Sequence, residues 1–523
     1  MRSFNKTIVV TLLILLCATL VECNSSTTTT SSSATSGQHS AADISKGQAL
    51  AANYCQRCHQ LPNPALLDKT TWHNSVLPVM GLYLGVKYHI SDSLLTSQTG
   101  NMDYLPKKAG IDSVEWRQIV AYYTSKAPEH LPVPNRSEPI KELPIFKVLS
   151  TPAEWISTKS LASYVKIDES VTPHRLLVGD GARNRLIVLN DNAKTVNSSQ
   201  LDGAIVDMVF KNNNITATAI GDDLWSTNAK KGTVKEISID KTGKVAIQDR
   251  LILDRLGRPL STDIVDLNMD GRPDYLVTQF GKMTGRLSWF EEQGNNHTEH
   301  ILRDKPGCIR TIIDNNNPNK IPNIWALFAQ GDEGIFQYTN DGKGNFKEKR
   351  VLSFPPSYGS SYFDVIDFNG DGFKDIIYTC GDNGDFSQTP KPYHGIHIYL
   401  NDGKGNFVSK FFYPINGCYK AIAKDFDGDG DLDIATISAF PANRSPWEAF
   451  VYLENKGGFN FRAYTLPPGT PFTKALTMDA GDIDGDGKID LLLGAGFVAA
   501  DPVGSDRQPL FIVLKNVSKG TPK

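Results

Sequence analysis

Four stretches of the chain share one nine-residue pattern, D-x-[DN]-x-D-G-x-x-D, and this repetition limits its possible folds more than any other feature. The copies place Asp266, Asn268, Asp270 and Asp274; Asp367, Asn369, Asp371 and Asp375; Asp425, Asp427, Asp429 and Asp433; and Asp482, Asp484, Asp486 and Asp490 at equivalent positions. Short oxygen-bearing side chains at alternate positions around a glycine turn make a cage for a hard cation, and a backbone carbonyl at the seventh position can complete it. Ca2+ is the natural occupant. An EF-hand would carry a bidentate Glu at the twelfth position, where this chain has Val277, Tyr378, Thr436 and Leu493. Apolar, β-rich runs (DYLVTQF, DIIYTC, DIATISAF, DLLLGAG) follow each loop directly, so the cages belong to strand-loop-strand hairpins rather than helix pairs.

Spacing gives the architecture. The loops start at 266, 367, 425 and 482, and a degenerate copy at Asp314 and Asn316 fills the long gap, for a step of about 48 to 58 residues. Two further strand groups, around Ile167 and around Val206, precede them, which makes seven units. Each unit offers about four strands, with turn-rich hairpins at Asn340, Asn401 and Asn455. Seven four-stranded units predict an all-β propeller, a fold that closes its ring and hides its edges. The loops and hairpins resemble the FG-GAP/VCBS repeat family, over residues 160 to 516. That resemblance implies a calcium-binding propeller whose ligands are the Asp and Asn residues named above, with the first, second and fourth blades lacking metal.

The N-terminal part has a different chemistry. A helix-like run from Asp43 ends in Cys55-Gln-Arg-Cys58-His59, the C-x-x-C-H of covalent haem attachment. On one helical turn two thiols reach the two vinyl groups of a porphyrin, and the adjacent imidazole faces the iron. Zinc would need a second ligand pair, but the next cysteine is Cys308. Residues 43–131 resemble a class I cytochrome c, a small all-α domain. Asp112 and Glu115 are spaced as a capping box for its closing helix, and Gly47 permits close helix crossing. The resemblance implies Met80, which follows Trp72, as the sixth iron ligand. Met102 is its rival, and His73, His89 or an open site are the remaining alternatives. The whole chain resembles bacterial VCBS-repeat proteins with an N-terminal cytochrome c domain.

The first segment reads as an export signal. Arg2 and Lys6 precede an apolar run over 8–21 that is too short to span a bilayer. Cys23 after Leu20-Val21-Glu22 resembles a lipobox cysteine, with Glu22 where a small residue is usual. The expected organisation is therefore a signal of lipoprotein type at 1–23 and a Ser/Thr-rich tether at 24–42. The haem domain at 43–131, a Pro-rich linker at 132–160 and the propeller at 161–517 follow. Lys+Arg 54 against Asp+Glu 57 leaves no basic field for a phosphate backbone, so nucleic acid is not an expected partner.

These observations predict an exported c-type haem protein, periplasmic or at the cell surface as an outer-membrane lipoprotein. It would exchange electrons with a redox partner protein while the propeller docks a protein or glycan, and acylated Cys23 would anchor it to the membrane. Two alternatives stand beside this reading: a haem-linked oxidoreductase acting on a sugar or alcohol bound at the propeller, and a surface adhesin. No nucleophile-base arrangement is evident, so no catalytic residue is expected. His394/His397 and His297/His300 read as scattered packing or surface histidines. Of Cys308, Cys380 and Cys418, one pair is a candidate disulfide in an oxidising compartment.

Overall fold

A computed structural model describes residues 40–519, apart from 98, 212–213, 222–223, 225–227, 295, 383, 385–386 and 497–506. The export signal, Cys23 and nearly all of the tether lie outside the described residues.

The apolar runs between the Gly- and Asn-rich turns form seven four-stranded antiparallel sheets. We number them as blades I to VII, with inner strands Ala162–Asp168, Ile205–Lys211, Pro259–Val265, Cys308–Asp314, Ser360–Ile366, Cys418–Lys424 and Ala475–Gly481. Each inner strand touches the next, and that of blade VII touches that of blade I, so the ring is closed. Every inner strand shifts register between its first and third residues, a bulge repeated in all seven blades. The second strands behind the Asp loops, such as Asp433–Ser438 and Asp490–Ala495, are buried along their whole length. Sheets covered on both faces need continuous rather than alternating apolar strands, which accounts for DIATIS and DLLLGA.

The ring closes through the segment expected to be a Pro-rich linker, and that expectation is corrected here. Phe146–Leu149 is the outer strand of blade VII, running antiparallel to Phe511–Asn516 with Phe146 opposite Asn516. Phe146 is buried edge-on against Phe426 and Tyr452, at 5.7 and 5.5 Å between ring centroids. Further upstream, Ile140 exchanges backbone hydrogen bonds with Ala463 and Thr465 of blade VI. The chain from 140 to 149 thus fastens the last two blades.

The N-terminal part is a small helical unit. Its first helix, Ala41–Cys55, crosses its closing helix, Ser113–Lys126, at Gly47, where a Cβ would lie 1.9 Å from the Gln118 carbonyl oxygen. Between them a helical stretch from Lys69 to Tyr83 contains a π turn at Trp72–Val76, which accommodates Pro78 at the start of the α-helical segment that follows. Trp72, Trp116, Ile119 and Tyr123 form the centre of this unit. Asp112 caps the closing helix through the Val114 N–H, but Glu115 accepts from the Tyr54 hydroxyl, so the expected capping box is only half made. The unit rests on blade V, where the Tyr393 hydroxyl donates to the Leu66 carbonyl at 3.0 Å and Thr71 meets Ser387 at 3.3 Å. This is the end of the blade opposite its Asp loop.

Candidate functional site

All four Asp loops join an inner strand to the second strand of its blade, in blades III, V, VI and VII, and so lie on one face of the ring. The first Asp organises the turn. Asp425 accepts the N–H groups of Gly428, Asp429 and Gly430, and Asp367 and Asp482 do the same in their loops. The fourth and sixth positions take left-handed backbone, supplied by glycines such as Gly428 (φ 79°) and Gly430 (φ 101°). Blade III puts Met269 (φ 60°) at the fourth position, where a side chain is strained.

The ninth Asp does more than the repeat pattern indicates. Asp433 is fully buried and accepts from the Phe426 N–H, the Asn455 N–H and the Tyr452 hydroxyl. Asp375 and Asp490 likewise bind the second residue of their loop and the Asn that ends the third strand of the blade, Asn401 or Asn516. Asp274 makes the same pair of bonds to Leu267 and Glu292. In blade IV, which has the degenerate Asp314/Asn316 copy, Asn323 takes over by accepting the Asn340 N–H. The sequence signal for this staple is the Asn that ends the third strand in blades IV to VII, where blade III uses Glu292.

Carboxylate oxygens of Asp425, Asp427 and Asp433 lie within 4.8 Å of one another, and so do those of Asp482, Asp484 and Asp490. Oxygens sharing a Ca2+ at 2.3–2.6 Å lie at most about 4.6–5.2 Å apart, so both trios fit that ion. Burial, reinforced by neighbouring aspartates, pushes the Asp433 and Asp490 carboxyls up to about 6. The four cages are not equivalent. Blade VI has no Lys or Arg within its loop, whereas in blade VII Lys515 pairs with Asp484 and Lys488 with Asp486. In blade V, Asn369 donates to Asp371, and Lys374 reaches across to Asp314. In blade III the Arg272 guanidinium holds Asp270 at 2.6 Å, and Asn268 donates to Glu291. Blade VI is therefore the best cage and blade III the poorest.

In the helical unit, Cys55 ends the first helix half-buried against the core, and Cys58 is exposed one turn later. Burial, then the neighbouring Cys58, pushes the Cys55 thiol up to about 11. His59 Nδ1 lies 2.9 Å from the Gln60 carbonyl oxygen. A carbonyl only accepts, so Nδ1 carries the proton and Nε2 of the neutral ring is left as a lone-pair donor. Met80 is half-buried against the same core as Cys55, while Met102 is 37% exposed. His73 and His89 face each other at 5.6 Å between ring centroids, lining a shallow cleft with Trp116. Trp116 Nε1 is buried without an acceptor among the described residues. Two thiols one turn apart, an imidazole with a free Nε2 and a buried unpaired indole donor are a donor set that could hold a covalent haem.

The remaining candidates take structural positions. Cys308, Cys380 and Cys418 are buried free thiols, so no pair of them is bridged and the disulfide expectation is corrected. They occupy strand ends in three different blades. His300 stacks on Trp289 and pairs with Glu291, and His297 packs on Tyr275. His394 and His397 are buried in blade V, where burial drives both imidazoles toward the neutral form.

The FG-GAP-like repeat matches residues 324–378 and 425–493. A "T-cell immunomodulatory protein homolog" of Plasmodium falciparum (isolate 3D7) is 24% identical over 217 residues, which is 34% of this chain and 29% of that protein. The matched stretch thus spans under a third of the relative's length. Among solved structures, the N-terminal domain of Nup159 is 11% identical, with 74% of this chain and 98% of that chain covered at a TM-score of 0.42. The chain carries FG-GAP-like repeats, built into a seven-bladed β-propeller.

Proposed function

We propose that the protein is an exported c-type haem protein that transfers electrons, with the propeller as a calcium-stiffened docking module. The observation that carries this reading is the Cys55-x-x-Cys58-His59 turn, whose imidazole is oriented through Nδ1 so that Nε2 is free. Cys55 and Cys58 would hold the haem, and His59 and Met80 would ligate its iron. A haem so held takes up and releases one electron without leaving the protein. The helical unit's seat on blade V, away from the Asp loops, leaves those loops free for a protein or glycan partner. Asp425, Asp427 and Asp433, and Asp482, Asp484 and Asp490, would hold Ca2+. Acylation of Cys23 would tether the chain to a membrane, and Cys23→Ser would abolish labelling by a fatty-acid probe.

Redox titration of protein from a host that attaches haem outside the cytoplasm tests the proposal. The expected result is a reversible one-electron couple that shifts in Met80→Ala and vanishes in His59→Ala. A protein without a reversible couple would instead favour the adhesion reading, to which the FG-GAP-like repeats also lend support.

A further inference from the structure

The propeller axis carries a ring of ionisable side chains that neither the Asp cages nor the helical unit uses. Along the inner strands the fourth residue is buried, while the charged third and fifth residues are partly open. Third positions hold Asp207 in blade II and Arg310, Tyr362 and Lys420 in blades IV, V and VI, and fifth positions hold Lys166, Asp263, Asp364 and Asp479 in blades I, III, V and VII. Lys166 keeps 37% and Asp479 19% of its side chain exposed, so solvent reaches the channel.

The acids and bases in this ring are satisfied unequally. Asp479 takes Lys166 at 3.1 Å and the Ile167 N–H, Asp263 takes the Thr311 hydroxyl, and Asp364 takes the Val365 N–H. Arg310 spends only its Nε, on the Phe363 carbonyl, and its two terminal nitrogens have no partner among the described residues. Among the described residues Lys420 donates only to the Met478 carbonyl. Both cations lie against the Tyr362 ring, at 4.4 and 5.1 Å from its centroid, and among the described residues neither has a carboxylate within 4.0 Å. Burial works against the Arg310 charge, but Tyr362, Asp364, Asp263 and Asp207 outweigh it and hold the guanidinium above its ordinary range, so its two terminal nitrogens lack hydrogen-bond acceptors rather than counter-charge. Burial, then the like charge of Arg310, pushes Lys420 down to about 8.

We propose that the axial channel binds a hydroxylated carboxylate, a sugar acid, with its carboxylate held between Arg310 and Lys420 beside Tyr362. The two free guanidinium amino groups match the fork of a carboxylate. The second oxygen of Asp364 has no protein donor among the described residues and accepts from the ligand's hydroxyls. The surrounding aspartates disfavour a dianion, which separates a carboxylate from phosphate. This site is independent of the haem.

Calorimetry on the full chain with D-galacturonate, D-gluconate, D-galactose and inorganic phosphate tests the assignment. At least one sugar acid should bind at least tenfold tighter than galactose and phosphate. Arg310→Gln and Lys420→Met should each weaken that binding at least tenfold while leaving the melting temperature within a few degrees. Should Arg310→Gln fail to fold, Lys420→Met carries the test. Absence of binding by both acids, phosphate binding more tightly than either, or affinity unchanged in the folded variants would overturn the proposal. A haem-free preparation should bind equally well, so loss of the haem reading would leave this result standing.

Discussion

Replacing Asp433 and replacing Asp427 should differ in the absence of calcium, although both lie in the same nine-residue loop. Asp433 is fully buried and accepts three hydrogen bonds, from the Phe426 N–H at 3.2 Å, the Asn455 N–H at 2.7 Å and the Tyr452 hydroxyl at 2.8 Å. Alanine strands three donors at about 1–3 kcal/mol each, partly offset because a carboxylate that is costly to bury has been removed. A net loss of about 3 kcal/mol follows, which at roughly 2 °C per kcal/mol in a fold of this size lowers the melting temperature by about 6 °C. Among the described residues Asp427 accepts only the exposed Asp429 N–H, at 3.2 Å, so in chelator Asp427→Ala should cost no more than about 0.5 kcal/mol. Calcium adds a loss common to both variants. At a hundredfold excess over its dissociation constant the ion adds about 2.7 kcal/mol per site, and both Asp427→Ala and Asp433→Ala should lose the increment of their shared cage, which for Asp427→Ala is nearly the whole effect. Scanning calorimetry in chelator and in calcium reads both effects. Equal melts of the two variants in chelator would refute the stapling role of the ninth Asp, and an intact calcium increment in Asp427→Ala would refute the cage.

Gly47→Val puts a Cβ 1.9 Å from the Gln118 carbonyl and should separate the two helices, costing the helical unit several kcal/mol. Near-ultraviolet dichroism and limited proteolysis should then show the helical unit lost while the propeller transition persists. Phe146→Ala removes a buried ring from the closing strand and should destabilise the propeller by about 3–5 kcal/mol, measured by denaturant titration. Glu333 is buried, bonded to Ser360, and pushed up from 4.5 to about 8 by burial. Its folded value lies above its unfolded one, so the folded chain binds the extra proton and stability falls as the pH rises from about 4.5 to about 8. Glu333→Gln should flatten that slope, by at most about 1.4 kcal/mol per pH unit, in melts taken across that window.

The sequence revealed the parts of the fold that repeat. Four copies of one loop, with Asp314 and Asn316 as a fifth trace, supplied the step that gave seven blades, because cage chemistry leaves little freedom in residue type. The closing strand was not legible: FKVL is four residues among prolines, and its partner lies more than three hundred residues away. Gly47 was readable because only a missing side chain allows the crossing with the closing helix. The double duty of Asp274, Asp375, Asp433 and Asp490 was hidden, since a ligand and a staple use the same carboxylate. Nor could the axial ring be read in advance. Arg310, Tyr362 and Lys420 share a register only once three blades are aligned through their common bulge.

Intact-mass spectrometry with a pyridine haemochrome spectrum tests the central claim most directly, on protein from a host competent in extracytoplasmic haem attachment. Wild type should carry the added mass of one haem that survives denaturation, and the Cys55→Ser/Cys58→Ser variant should lack it. An unmodified wild-type mass, with both thiols open to alkylation, would contradict the account.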